Sequence, residues 1–262
     1  GPWMELKGKV AIVTGAGRGI GRAISKVMAR EGAAITLAAR SLDQLQATAS
    51  EIQGAGGRCA VVQTDVTSED SVNQMVKETL DEFGTVDVLV NNSGVAGPTA
   101  LCEETTVEDW NATFAVNVIG PFLCAKAVLP TMKAKRSGRI INISSMSGKR
   151  PLVRRTPYTS SKMAVMGFTR TLAHEVGEFG ITVNSVCPGA TSGERIDNVI
   201  RNLAETQGKS EDEILAGFTD PSALKTLVDP DDTAEVVCFL ASDRAGNMTA
   251  QDINVTAGLV WY

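Results

Sequence analysis

Seven short, continuously apolar runs separated by helix-like stretches constrain this chain most. The first, Lys9–Thr14, ends in a glycine cluster and leads into a pattern from about Arg18 to Glu31 with Ile20, Ile24, Val27 and Met28 at helical spacing. The rhythm returns near Ala34–Ala39, Cys59–Gln63, Val86–Asn91, Arg139–Ser144, Ile181–Val186 and Ile253–Val255. Strands that are apolar along their length are buried on both faces, and such strands joined by helices belong to a parallel sheet. The pattern predicts an α/β fold, a doubly wound parallel sheet with helices on both faces. Right-handed crossovers then bring the strand C-termini, and the loops after them, to one edge. With 262 residues and no linker, repeat or low-complexity tract, the chain reads as one domain over residues 6–262.

Two stretches break the rhythm. Pro121 lies inside the long helical pattern from Val107 to Lys135 and, lacking an N–H, predicts a kink or interruption just beyond Asn117. The segment from Thr191 to Leu227 is helical but polar, and longer than a simple connection, so it is expected to form a substrate lid. Gly1, Pro2 and Trp3, ahead of Met4, read as an expression remnant.

Charge and cysteine usage narrow the class. A formal net charge of −5 argues against a general nucleic-acid or acidic-membrane binder. Five cysteines without a CxxC pair encode neither a disulfide framework nor a metal site, and predict a reducing compartment. With no signal peptide and no apolar run expected to reach membrane-spanning length, the reading is cytoplasmic.

The turn Thr14-Gly15-Ala16-Gly17-Arg18-Gly19-Ile20-Gly21 sits between the first strand and first helix, where backbone N–H groups and the helix dipole hold a nucleotide pyrophosphate. Its spacing, G-x-x-x-G-x-G, departs from the general dinucleotide fingerprint. The second strand ends in Ala38-Ala39-Arg40 and offers no carboxylate to a ribose 2′-hydroxyl. Arg40 and Arg18 instead suit a 2′-phosphate, which predicts NADP(H).

Tyr158 and Lys162 stand four apart, on one face of a predicted helix. A phenol exchanges protons at neutral pH only when a nearby cation stabilises its phenolate, so the pair reads as an acid/base device. Taken with the glycine turn, Asn91-Asn92-Ser93-Gly94, Asn117, Ser145 and Pro188-Gly189, it resembles the short-chain dehydrogenase/reductase family in order and spacing, from about Leu6 to Gly258. The resemblance implies a single Rossmann-like domain, a nicotinamide cofactor, alcohol/carbonyl oxidoreduction and a homotetramer. It implies Tyr158 as general acid, Ser145 as the group holding the carbonyl oxygen in preference to Ser144 or Ser147, and Lys162 as the tyrosine's activator and a ribose ligand. Asn117 would keep a water in the proton relay to Lys162.

The resemblance also implies cofactor contacts at Gly15, Arg18, Gly19, Ile20, Gly21, Asp65, Val66, Asn91, Gly94, Pro188 and Gly189. Asp65 either contacts adenine or caps the next helix. Ser93 replaces a commoner alanine, and Gly193 stands where the family often has a threonine touching the carboxamide, so Thr191 is the expected substitute. His174, the only histidine, is expected to be structural, Met163 and Met166 to pack the helix, and Trp261 and Tyr262 to meet a neighbouring subunit.

Lys149, Arg150, Arg154 and Arg155 crowd the loop between Ser145 and Tyr158, expected to wall the pocket. The alternatives are a solvated loop or an anionic substrate, with Arg155, three residues before Tyr158, as the anchor and Arg195 closing over it from the lid. Arg154 should point elsewhere. The reading is an NADP(H)-dependent reductase of a ketone or secondary alcohol. A 3-oxoacyl-carrier-protein reductase, a sugar or polyol dehydrogenase, and a nucleotide-binding sensor without chemistry stand as alternatives.

Overall fold

The computed structural model describes residues 4–262, so the expectation for Gly1, Pro2 and Trp3 lies outside the described residues. Seven strands form one parallel sheet in the order β3-β2-β1-β4-β5-β6-β7. They are β1 (Val10–Thr14), β2 (Ala34–Ala39), β3 (Arg58–Gln63), β4 (Val88–Asn91), β5 (Gly138–Ile143), β6 (Ile181–Pro188) and β7 (Asp252–Val255). Each expected strand is present, with ends moved by one or two residues. Side chains alternate across the sheet as the pleat requires: Ala11 and Val13 join one core layer and Ile12 the other, and Val88 and Val90 oppose Leu89 in the same way.

Helices cover both faces. On one, α1 (Gly19–Arg30) and α9 (Pro230–Ala241) bury Ile24, Met28, Val237 and Leu240; α2 (Leu42–Gly54) adds Leu45 and Ile52. On the other, α3 (Glu69–Phe83), α5 (Gly120–Lys135) and α6 (Thr156–Val176) bury Val72, Met75, Val128, Met132, Leu172 and Val176. By length and apolarity, the helical run Val107–Lys135 would suffice to cross a membrane, which corrects the expectation that no run reaches that length. Here it is an interrupted helix whose buried face packs on the sheet.

The interruption falls where Pro121 predicts it. In a regular helix the residue at 121 would donate to the Asn117 carbonyl, and proline has no hydrogen to give. The run divides into α4 (Val107–Phe114), a π-turn over Ala115–Ile119, and α5, with Gly120 N bonded back to the Ala115 carbonyl. Between β6 and α9 the polar segment forms a hairpin, α7 (Glu194–Gln207) and α8 (Glu211–Thr219), with a small core of Ile200, Ala204 and Ile214 of its own. Its two ends are joined: Thr191 and Val228 form a parallel bridge, with Val228 N bonded to the Ala190 carbonyl and Ser192 N to the Val228 carbonyl.

Candidate active site

The loops after β1, β4, β5 and β6 meet along the C-terminal edge of the sheet. Between β1 and α1 the chain turns through Gly15 (φ +63°) and Gly19 (φ +54°). A Cβ on Gly15 would stand 2.8 Å from Asn92 Nδ2, and one on Gly21 would overlap the Gly15 carbonyl oxygen, so both positions exclude a side chain. Gly19 faces open space, and α1 begins with no side-chain cap on its first N–H groups. By contrast, α2 and α3 are capped by Ser41 and Ser68. This open, uncapped glycine cradle fits a dinucleotide pyrophosphate. Thr14 Oγ accepts from Asn92 N and Ser93 N at 3.0 and 3.1 Å, and Asn92 Nδ2 donates to the Gly15 carbonyl, so the loop after β4 is bound to the turn.

Arg40 is exposed just beyond β2, and Gln63 Nε2 donates to its carbonyl at 2.9 Å. Asp65 does not cap α3, which corrects that alternative, since Ser68 does. Its Oδ1 accepts from Thr67 Oγ and Thr67 N at 2.7 and 3.0 Å, which holds the carboxyl below the usual carboxylate range. The Val66 side chain is buried against Gly120, leaving its backbone as the part able to reach a ligand. Asn91 points into the protein: its amide donates to Asn142 Oδ1 at 2.9 Å, and Asn142 donates to Thr169 Oγ. Gly189 lies tight against Thr256, and Thr191 Oγ donates to the Gly189 carbonyl at 2.9 Å.

Ser145 follows β5 and starts a 3-10 turn, Met146–Gly148, accepting from Ser147 N at 3.1 Å while its own hydroxyl proton stays free to donate. That turn packs directly on α6, because a Cβ on Gly148 would lie 3.1 Å from Lys162 C and Met163 N. Pro157 in the first turn of α6 suits helix initiation and puts Tyr158 at the helix start. Lys162 is buried, with its Nζ 5.7 Å from the Tyr158 ring centroid and donating to the Ile143 carbonyl at 3.2 Å. A Cβ on Gly94 would stand 3.5 Å from both Asn117 Oδ1 and Lys162 Nζ, so these groups converge on one point. The Asn117 side chain is bound on both sides: Nδ2 donates to the Val95 carbonyl and Ser161 Oγ, and Oδ1 accepts from Val95 N.

The basic loop divides. Lys149 Nζ donates to the Tyr262 carbonyl at 2.8 Å, and Arg154 turns to Glu104 at 3.4 Å. Arg155 alone comes to the tyrosine, with its guanidinium 5.0 Å from the Tyr158 ring centroid and Nη2 donating to the Ala96 carbonyl at 2.7 Å. Burial holds Arg155 below the ordinary arginine range, and its buried Nε has no hydrogen-bond partner among the described residues. Arg195 is exposed in the first turn of α7, its charge felt at Arg155. Met166 is buried beside Cys187, whereas Met163 is half-exposed, so only the first packs the helix. His174 is exposed in the last turn of α6. Ser161 was not singled out from sequence, and Thr14, Asn92 and Ser144 appeared there only as members or neighbours of motifs, without the bonds they make here. A polar residue close to a motif is the signal they leave.

The sequence profile described as short chain dehydrogenase matches residues 9–203. A 3-oxoacyl-acyl-carrier-protein reductase of Synechocystis sp. is 37% identical over 259 residues, 98% of this chain and 99% of that protein. An actinorhodin polyketide ketoreductase crystallised with NADPH superposes with a TM-score of 0.92 at 35% identity, over 97% of this chain and 98% of its own. A xylitol dehydrogenase crystallised with NAD+ superposes at 0.91 and 28% identity, over 97% and 100%. With this fold and this edge of the sheet, the chain belongs to the short chain dehydrogenase family and is an oxidoreductase that uses a nicotinamide cofactor on alcohol and ketone groups.

Proposed function

We propose that this enzyme reduces a small anionic ketone to a secondary alcohol with NADPH, and runs the reverse reaction with NADP+. The bound nicotinamide supplies the hydride in reduction and accepts it in oxidation. The Tyr158 hydroxyl gives its proton to the carbonyl oxygen, and the Ser145 hydroxyl donates a hydrogen bond to that same oxygen. Lys162 stands beside the phenol and binds the nicotinamide ribose. Asn117 acts from the π-turn by fixing the loop at Val95, which lies beside Gly94 in the cofactor wall. The glycine turn with Ile20 holds the pyrophosphate, and Asp65 and the Val66 backbone hold adenine. Arg18 and Arg40 pair with the 2′-phosphate, and Thr191 meets the carboxamide beside Pro188 and Gly189.

One observation carries the anionic substrate. The buried Arg155 Nε, beside Tyr158, has no hydrogen-bond partner among the described residues, and such a donor is costly to leave unmet, which favours a ligand oxygen there. Arg195 covers the same group from the α7–α8 lid. The name of the Synechocystis relative supports a second reading, a 3-oxoacyl-carrier-protein reductase. A panel of matched anionic and neutral ketones, an acyl-carrier substrate and polyols, followed by NADPH absorbance, separates these readings. Arg155→Leu is expected to lower kcat/KM for the anionic ketone by roughly 10- to 150-fold, equivalent to ~1.5–3 kcal/mol, and to spare the neutral one. Equal losses on both would make Arg155 a loop support. The enzyme is further proposed to be a cytoplasmic homotetramer, a reading supported by its five free cysteines and by exposed Ile119, Phe122 and Met163.

A further inference from the structure

Ser161 is fully buried, and the chemistry above does not use it. Its hydroxyl donates to the Tyr158 carbonyl oxygen at 2.7 Å and accepts from Asn117 Nδ2 at 3.0 Å. Helical serines and threonines often bond back to their own helix with no further consequence. Thr159 does so in the same turn, bonding to the Arg155 and Thr156 carbonyls. What sets Ser161 apart is the second bond, which comes from another element. Through Asn117 the chain of bonds continues to both backbone groups of Val95, in the loop after β4. At the other end of the turn, Ser144 Oγ donates to the Lys162 carbonyl at 2.7 Å and ties it to the end of β5. The carbonyls of Tyr158 and Lys162 are thus each held by a serine, one answering to the π-turn and the other to the sheet.

We propose that Ser161 is a positioning residue for Tyr158, coupling the π-turn at Asn117 to the helical turn that carries the phenol. The proposal rests on the reading of Tyr158 as proton donor. Without the hydroxyl, an Asn117 N–H is left buried with no acceptor, and the π-turn and the start of α6 lose their shared reference point. A reacting group displaced by part of an ångström costs turnover more than substrate affinity.

The test compares Ser161→Ala, Asn117→Ala, the double variant, Ser161→Thr and Tyr158→Phe by steady-state kinetics on the best neutral ketone, with NADPH titration and thermal melting of each. Ser161→Ala is expected to lower kcat roughly 10-fold, with KM and the NADPH Kd within about twofold of wild type. The double variant should be no slower than Asn117→Ala alone, since both cut one chain of bonds. Ser161→Thr, which keeps the hydroxyl, should recover most of kcat. If alanine unfolds the helix, Ser161→Cys keeps the volume, weakens both bonds and carries the same expectation. A wild-type kcat in folded Ser161→Ala or Ser161→Cys overturns the proposal, as do additive losses in the double variant or a loss that appears in cofactor Kd. Tyr158→Phe separates the two readings. Full activity there overturns both, whereas an inactive Tyr158→Phe beside a wild-type-like Ser161→Ala overturns only this one.

Discussion

Arg155, Tyr158 and Lys162 lie at i−3, i and i+4 along the start of α6, so the phenol has a cation on each side of it along the helix. Tyr158→Phe removes one oxygen and its proton and leaves both cations, the ring and the cofactor wall in place. Turnover is expected to fall by ~10²–10⁴-fold while NADPH binds almost as before, as read by initial rates and fluorescence titration. A near-normal kcat would assign the proton to another group. Beyond β2, Arg40 stands in solvent after a strand that ends without a carboxylate. NADPH should therefore bind more tightly than NADH, and Arg40→Ala should reduce that preference by about 10- to 150-fold. Preference for NADH in the wild-type protein would refute this reading of the strand end. The Tyr158–Lys162 pair is legible in sequence because its geometry is set within one helical turn. The long-range partners of Asn117, Asn91 and Ser161 are not, because each of these bonds spans more than twenty residues and depends on how the elements pack.

Among the elements, the first turn and helix act as one piece. Gly21 is inside α1, and the carbonyl of Gly15 occupies the space where its side chain would be. Gly21→Ala must push that carbonyl, and with it the phosphate cradle, out of place. A loss of about 1–3 kcal/mol in stability is expected, together with a large rise in NADPH Kd, measured by thermal melting and titration. An unchanged melt with wild-type affinity would mean that the turn has slack the contacts do not suggest. The interruption at Pro121 was readable because a missing N–H has a fixed address four residues back. Its form as a π-turn was not, since that depends on Asn117 holding Val95 and on Gly120 packing against Val66. Element boundaries likewise moved by a residue or two, where hydrogen bonding and not apolar character ends the strand.

At the level of the whole molecule, sheet class and layering were legible because uninterrupted apolar strands leave no face for water. The sequence pattern alone did not supply the order β3-β2-β1-β4-β5-β6-β7, the isolated core of the α7–α8 hairpin, or the exposure of His174. Ile119, Phe122 and Met163 leave large apolar surfaces in solvent on α5, α6 and the turn before them. The proposed tetramer would cover such residues, and Phe122→Glu should then shift the light-scattering mass toward smaller species without altering the far-ultraviolet spectrum. A monomeric wild-type protein at micromolar concentration would end that proposal. The bridge between Thr191 and Val228 has a different implication. Because the sheet edge fixes both ends of the hairpin at one place, whatever lies between them is an exchangeable cartridge. Its length and composition can drift with little entropic penalty for closing the loop and little effect on the sheet. Divergence among enzymes built on this plan should therefore collect there, and grafting another enzyme's segment between these two positions should change which ketone is accepted while the proton-transfer machinery stays as it is.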